Sequence, residues 1–422
     1  MQSSKSNLNS NKTWHKVLFG IVVAIIAVVF ICFMYAYRSL RLLDRAQLVS
    51  ENVNEIIPFH YSESHHMLVD VRINGSQQTY PFLLDSGAAS FIFGNTLEQF
   101  DLPDIGNGIA VGTGGGVLFP DIYRIDQLSL GSIEFANVSA QSIDKLPISC
   151  SDEIFGILGK EAMQHLVWQI DFEKEQLHVV SDKSQLTFGT VVDTVPLKES
   201  KLGHHLYVAT EWGKDSITSK KDFIVDLGCN EYAAMGGKHL KNTASRTIDI
   251  MGNSSVGLDG ENTSKATIQE LTNFRIGKTT LPQFTVSAGD ATVALLGLGF
   301  LRNYKTTISW KDDQLWLEPY AEQYFGAKGY GYGARYDPEA NALIVKSVHK
   351  GFPADEAGLR PNARIISLNG TVIDSEAQYC AFEYSGDTVE VVYEQDGRQQ
   401  TAVLEKRDYF PLEPTEELLS EN

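Results

Sequence analysis

Residues 17–37, VLFGIVVAIIAVVFICFMYAY, run without a single charged side chain. About 20 apolar residues in helical form span the hydrocarbon core of a bilayer, so a transmembrane helix is predicted there. The run is longer than the apolar region of a cleaved signal peptide. It ends in FMYAYR, with no small-x-small cleavage site, which points to a retained anchor. Residues 1–16 form a short tail before it, and residues 38–55 read as a juxtamembrane linker, helical at least over RSLRLLDRAQL. From residue 56 the pattern changes to short runs of Val, Ile, Leu and Phe bounded by Gly, Asn or Asp, which is the pattern of strands.

These strand-like segments occur twice in the same order. HHMLVDVRING (65–75) corresponds to HHLYVATEWG (204–213), FLLDSGA (82–88) to FIVDLGC (223–229), and VGTGGG (111–116) to VGLDG (256–260). LSLGSIEFANV (128–138) corresponds to FRIGKTTLPQF (274–284), ILGKEAM (157–163) to LLGLGFL (295–301), and IDFEKEQLHV (170–179) to ISWKDDQLWL (308–317). The offsets are 139 residues for His65 and His204, 141 for Asp85 and Asp226, and 138 for Gly159 and Gly297. A near-constant offset across six matches identifies an internal repeat. It predicts two mainly β lobes, 56–187 and 188–320, each with one short helix after its Leu-Gly turn. The paired His65–His66 and His204–His205 do not suggest a metal site. Neighbouring strand residues point to opposite faces, so the pairs read as duplicated strand starts.

The chemistry lies in the two Asp-x-Gly turns. In each, an apolar run ends in an aspartate held by a tight glycine turn: Asp85-Ser86-Gly87 in the first lobe and Asp226-Leu227-Gly228 in the second. Facing across a pseudo-twofold axis, two carboxylates about 3 Å apart cannot both ionise and share one proton. The ionised member takes a proton from water while the protonated one donates to a peptide carbonyl. Such a pair hydrolyses peptides without a metal, a cofactor or a covalent intermediate.

Leu83-Leu84-Asp85-Ser86-Gly87-Ala88, with Gly156-Ile157-Leu158-Gly159 downstream, resembles the retropepsin-like and pepsin-like aspartic peptidases. The resemblance spans 56–320 as two fused lobes. It implies a bilobal fold with Asp85 and Asp226 as catalytic residues, and Ser86, Gly87 and Gly228 supporting the turns. It also implies a mobile flap over Val111, Gly112, Thr113, Gly114, Gly115 and Gly116. The second lobe departs from the pattern. Leu227 stands where the family carries Thr or Ser, and a leucine side chain donates no hydrogen bond. Its flap-like segment Ser254-Ser255-Val256-Gly257-Leu258-Asp259 is poorer in glycine. Two readings stay open: an active peptidase, or a catalytically degenerate, membrane-tethered peptide-binding or scaffold protein.

Residues 321–406 change character. GFPADEAGL (351–359) followed by ARIISLNG (363–370) resembles a bacterial-type PDZ domain, with Pro361-Asn362-Ala363 replacing the usual Pro-Gly-Asp. The resemblance implies a carboxylate-binding loop at Gly329, Tyr330, Gly331 and Tyr332, whose N–H groups would hold a peptide C terminus while the peptide adds as an edge strand. Residues 407–422 read as an acidic tail without fixed structure.

Charge narrows the partners. The chain carries −18, and the first 45 residues hold six basic residues against Asp44, so the rest stands at −23. Such a body repels phosphate backbones, and no nucleic-acid partner is expected. Walker, zinc and nucleophile-elbow patterns are absent. Cys32 lies in the apolar run. Cys150, Cys229 and Cys380 read as core thiols, with a Cys150–Cys229 pair left open. The expected architecture is mainly β: a bilobal aspartic-peptidase fold after one transmembrane helix and before a PDZ domain. The resemblance implies a membrane-anchored endopeptidase in a bacterial inner membrane. Its body lies in the periplasm, acting on peptide or protein substrates that the PDZ domain recruits or gates. Flanking charges barely orient the helix, with three lysines before it and three arginines after, and the short N-terminal tail favours export of the body.

Overall fold

A computed structural model describes residues 5–411, apart from residues 147, 152, 191, 202, 215, 241, 254–255, 258–259 and 262–264. One helix, Lys5–Leu43, contains the apolar run and is long and apolar enough to cross a membrane. It does not stop where the run stops. Ser39, Leu42 and Leu43 belong to the same helix and are buried: the two leucines pack on Ile122, and the Ser39 hydroxyl accepts the Ile109 N–H at 2.9 Å. The segment expected to be a linker is therefore largely built into the body. Gln47–Leu48 pairs with the strand Ile133–Ile143, and Asn54–Pro58 pairs with Gln176–Val180.

The repeat is visible in the strand pairing. In lobe 1 the strand Tyr80–Leu84, which leads into Asp85, pairs in parallel with Gly156–Leu158. That strand in turn runs antiparallel to Phe91–Phe93. In lobe 2, Ile217–Val225 leads into Asp226 and pairs in parallel with Leu295–Leu296, which runs antiparallel to Ala233–Gly236. Apolar residues on both faces let these central strands be buried from either side. The histidine pairs repeat as well. His65 and His204 both adopt left-handed backbone (φ 63° and 52°) just before the strands Met67–Ile73 and Leu206–Lys214.

The lobes join through a six-stranded antiparallel sheet. Its order is Asn54–Pro58, Gln176–Val180, Val167–Asp171, Tyr304–Ser309, Gln314–Pro319 and Asp193–Glu199, three strands from each lobe. One hydrophobic core, with Trp168, Trp212, Phe223, Phe274, Phe284 and Phe300 fully buried, runs through both lobes. Burial of this kind, at roughly 25 cal/mol per Å² of apolar surface, dominates the stability of such a body.

The PDZ domain has its own core around Leu343, Val345, Ile365, Val389, Val391 and Tyr393. Asn362, in the family's glycine position, takes φ 73°, a region asparagine tolerates better than most residues, so the turn survives the substitution. The domain is not a free appendage. The lobe 2 strand Ala244–Gly252 pairs with Thr267–Ile276 along most of its length and then passes its last residues to the PDZ strand Ala342–His349.

Two further expectations change. Cys150 and Cys380 form a disulfide across 230 residues of sequence, joining lobe 1 to the PDZ domain. Cys229 remains a thiol, so the Cys150–Cys229 alternative is excluded. The acidic tail starts later than expected. Arg407–Asp408 pairs with Lys328–Gly329, Phe410 is buried, and the Phe410 carbonyl accepts from Gln283 at 2.5 Å. The rest of the tail, residues 412–422, lies outside the described residues, as do Ser254, Ser255, Leu258 and Asp259 of the second flap-like segment.

Candidate active site

Both Asp turns are built alike. The Asp85 N–H donates to the Leu158 carbonyl at 3.1 Å, and the Asp226 N–H to the Leu296 carbonyl at 2.9 Å. Each aspartate then folds over its own turn. Asp85 Oδ1 accepts the N–H groups of Gly87 (2.7 Å) and Ala88 (2.9 Å), and Asp226 Oδ1 accepts that of Gly228 (2.9 Å).

The glycines are required because the lobes meet there. A Cβ on Gly87 would stand 2.6 Å from Asp226 Cγ, and one on Gly228 would stand 2.3 Å from Asp85 Oδ2. Each missing side chain is thus the space occupied by the other lobe's carboxylate, which brings the two carboxyls together.

The environment separates their charge states. Burial raises the pKa of both. For Asp85 the rise is opposed by the Gly87 N–H, the hydrogen bond from Asp226, the Lys160 charge and the Ala88 N–H. Asp226 is pushed well above the ordinary carboxylate range by burial and then by the negative charge of Asp85. Burial and mutual repulsion therefore favour one shared proton for the pair, and the upward push is the stronger on Asp226.

Ser86 ties the turns together. Its hydroxyl donates to the Val225 carbonyl at 2.7 Å and accepts the Leu227 N–H at 3.1 Å. Leu227 makes no reciprocal bond; its side chain is fully buried in the core. The Cys229 thiol is raised well above its usual pKa by burial and by Asp226, which leaves it protonated and inert.

The segment expected to form a flap is a hairpin, with Ala110 opposite Leu118 and Val111 opposite Val117. Gly112 and Gly116 close it (2.9 Å), and Gly115 takes φ 90° in the turn. Its tip reaches lobe 2, where the Thr113 carbonyl accepts the Thr292 N–H at 3.2 Å. Val111, Val117 and Phe119 are exposed on this hairpin.

Several groups at the site were not singled out by sequence reasoning. His205, just before a lobe 2 strand, lies beside the Gly87 backbone of lobe 1, and burial with the nearby Lys160 charge holds its pKa down to about 3. His66 does the reverse. Its Nε2 meets Asn230 of the Asp226 turn at 3.3 Å, its Nδ1 meets Ser64 at 2.9 Å, and burial lowers it to about 4. Buried Lys160 lies 4.0 Å from Glu161, whose other oxygen accepts the Ser90 N–H at 3.0 Å. The available signal was the doubled His-His pair and a Lys-Glu step where lobe 2 has Leu298-Gly299.

In the PDZ loop, Gly331 takes φ 85°. The Tyr330 and Gly331 carbonyls accept the N–H groups of Ala354 and His349. Among the described residues, Glu63, Cys150 and Cys380 come close enough for a metal cluster, but both sulfurs are spent in the disulfide.

Residues 69–162 match the family model for aspartyl protease, and residues 344–388 match that for the PDZ domain. The chain carries an aspartyl protease domain and a PDZ domain. The protease match takes in Asp85, Ser86, Gly87 and the flap, and ends within lobe 1. A crystal structure of aspartic proteinase from Irpex lacteus is similar at 14% identity and a TM-score of 0.40, covering 64% of this chain and 98% of that one. The family match supports a peptidase among the hydrolases.

Proposed function

We propose that the protein is a membrane-anchored aspartic endopeptidase. Asp85 and Asp226 act on one water, and the helix over residues 17–37 holds the body outside a bacterial inner membrane, in the periplasm. The observation that carries this reading is the nesting of each carboxylate in the glycine notch of the opposite turn. In the proposed cycle Asp85 takes a proton from the water as it attacks the peptide carbonyl, and Asp226 donates its proton to the carbonyl oxygen. The two then exchange roles as the amine leaves. Ser86, Gly87 and Gly228 keep the carboxyls in place.

The flap, Val111 to Gly116, covers an extended peptide, and exposed Val111, with Val117 just beyond the flap, offers apolar contact. The PDZ domain recruits or gates substrate, with Gly329–Tyr332 as its carboxylate loop. The degenerate, binding-only reading draws on one observation, the apolar Leu227 in place of a hydroxyl.

The test is cleavage of a diverse peptide library by protein in detergent micelles, run beside Asp85→Asn and Asp226→Asn. Cuts that disappear in both variants establish a two-aspartate peptidase. Equal patterns in wild type and variants sink it.

A further inference from the structure

Among the described residues, the PDZ strand Tyr332–Asp337 has one strand partner, Ala342–His349. In an antiparallel ladder, alternate residues present their N–H and C=O to opposite sides. Arg335 stands opposite Ile344, while the Ala334 carbonyl and the Tyr336 N–H meet partners on the other edge. This is the kind of edge on which a PDZ domain adds a peptide strand. Its far wall is the helix Glu376–Cys380, from which the Tyr379 hydroxyl donates to the Ala334 carbonyl at 3.3 Å.

The groove so framed is already occupied. The Tyr336 N–H donates to the Ser149 hydroxyl of lobe 1 at 3.0 Å. The neighbouring Cys150 N–H donates to Glu376 Oε1 on the helix at 3.1 Å, and the Cys150 sulfur is bonded to Cys380 on the same helix. Two consecutive residues of lobe 1 thus touch both walls. Toward the Gly329–Tyr332 loop the rings of Tyr330, Tyr332 and Tyr384 close together, with 3.2 Å between the Tyr332 and Tyr384 hydroxyls.

We propose that the PDZ groove is an intramolecular docking site whose resident ligand is the lobe 1 pair Ser149–Cys150, that Cys150–Cys380 is its latch, and that a dithiol reductant opens it to an extended peptide. The chemistry is thiol–disulfide exchange. A thiolate of the reductant attacks one sulfur and forms a mixed disulfide, and its second thiol then closes on that bond. Cys150 and Cys380 are left as thiols and the reductant becomes a disulfide, two electrons having passed to the protein. A merely tethered segment competes at an effective concentration on the order of millimolar. The covalent bond removes the competition altogether.

The latch also borders the cleft. The Glu63 carboxylate and the two sulfurs lie within 4.8 Å of one another. In the same loop the Ser64 carbonyl accepts from Asn230, four residues beyond Asp226, at 2.9 Å. Opening the latch loosens a loop that leans on the Asp226 turn. This deepens the gating role proposed above; it rests on the PDZ assignment and not on peptide cleavage.

The test uses the full chain in detergent micelles, oxidised and then treated with dithiothreitol, beside the Cys150→Ser/Cys380→Ser variant. Hydrogen exchange is read by fragment, and binding is read with an immobilised pool of random decapeptides bearing free carboxylates. On reduction, exchange is expected to rise over residues 332–337 and 374–384 but not over the PDZ strands Arg364–Leu368 and Thr388–Gln395. Peptide retention is expected to rise at least tenfold, and the variant should match the reduced protein. Equal retention in both redox states overturns the proposal. So does a rise in exchange across the whole PDZ domain, which makes the disulfide a structural staple, and so does local loosening without peptide capture. Loss of Asp85 chemistry leaves every one of these readouts unchanged, so failure here is distinct from failure of the peptidase reading.

Discussion

In lobe 1 the residue after the aspartate is Ser86, whose hydroxyl reaches across to the backbone of Val225 and Leu227. In lobe 2 it is Leu227, which turns into the core and reaches nothing polar. The strands that deliver the two turns pair identically, and both aspartates hang from the same kind of Leu carbonyl. The duplication has therefore preserved the frame and made the fastening one-sided. One hydroxyl, satisfied as donor and as acceptor, joins two turns; the leucine opposite contributes burial in its place. Geometry that is over-determined on one side and packed on the other still holds two carboxyls together.

The largest effect expected from breaking this arrangement is removal of either carboxyl. Asp85→Asn and Asp226→Asn should each lower kcat by on the order of 10²–10⁴-fold in a peptide-cleavage assay. A large loss in only one of them breaks the equivalence of the two lobes. The notches come next. Gly87→Ala and Gly228→Ala push a methyl into the opposing carboxylate and should cost on the order of 10²-fold in kcat, with melting temperature recorded to separate misplacement from unfolding.

Ser86→Ala strands the buried Leu227 N–H and the Val225 carbonyl, and should destabilise by about 1–3 kcal/mol in chemical denaturation. Leu227→Thr sharpens the comparison most. The added hydroxyl should raise kcat by roughly a few-fold, while loss of buried leucine volume lowers stability by about 2–4 kcal/mol. Higher activity with unchanged stability would show that Leu227 contributes no packing.

A pH profile tests the shared proton. Asp226 is raised well above the ordinary carboxylate range, so its proton persists as pH climbs past that range. Activity should fall as pH rises through that elevated value, and at low pH it should fall again as Asp85 takes up a proton. His66 and His205, held down to about 4 and about 3, stay neutral across neutral pH and should not add a limb there.

What could be read from sequence was whatever is carried by local pattern. The strand runs, the two Asp-x-Gly turns, the Gly-rich hairpin and the GFPADEAGL segment each bear their signal within about ten residues. The repeat then multiplied that signal. Contacts between distant segments left no such trace. Cys150 and Cys380 are separated by 230 residues, and no spacing rule pairs them. The strand Ala244–Gly252 reads as an ordinary lobe 2 strand, yet it ends by joining the PDZ sheet. His66 and His205 showed up as a doubled pair, but that each serves the other lobe's turn follows only from how the halves face each other.

The helix Lys5–Leu43 enters the body without a joint, and its last turns are buried in lobe 1. With the proposed anchor ending near Tyr37, the six residues from Arg38 to Leu43 rise only about 9 Å. If that anchor lies in a bilayer, the cleft is held close to the lipid surface, as by a short arm. A peptidase so mounted would reach peptide bonds near the bilayer and miss those farther out unless something carried them inward.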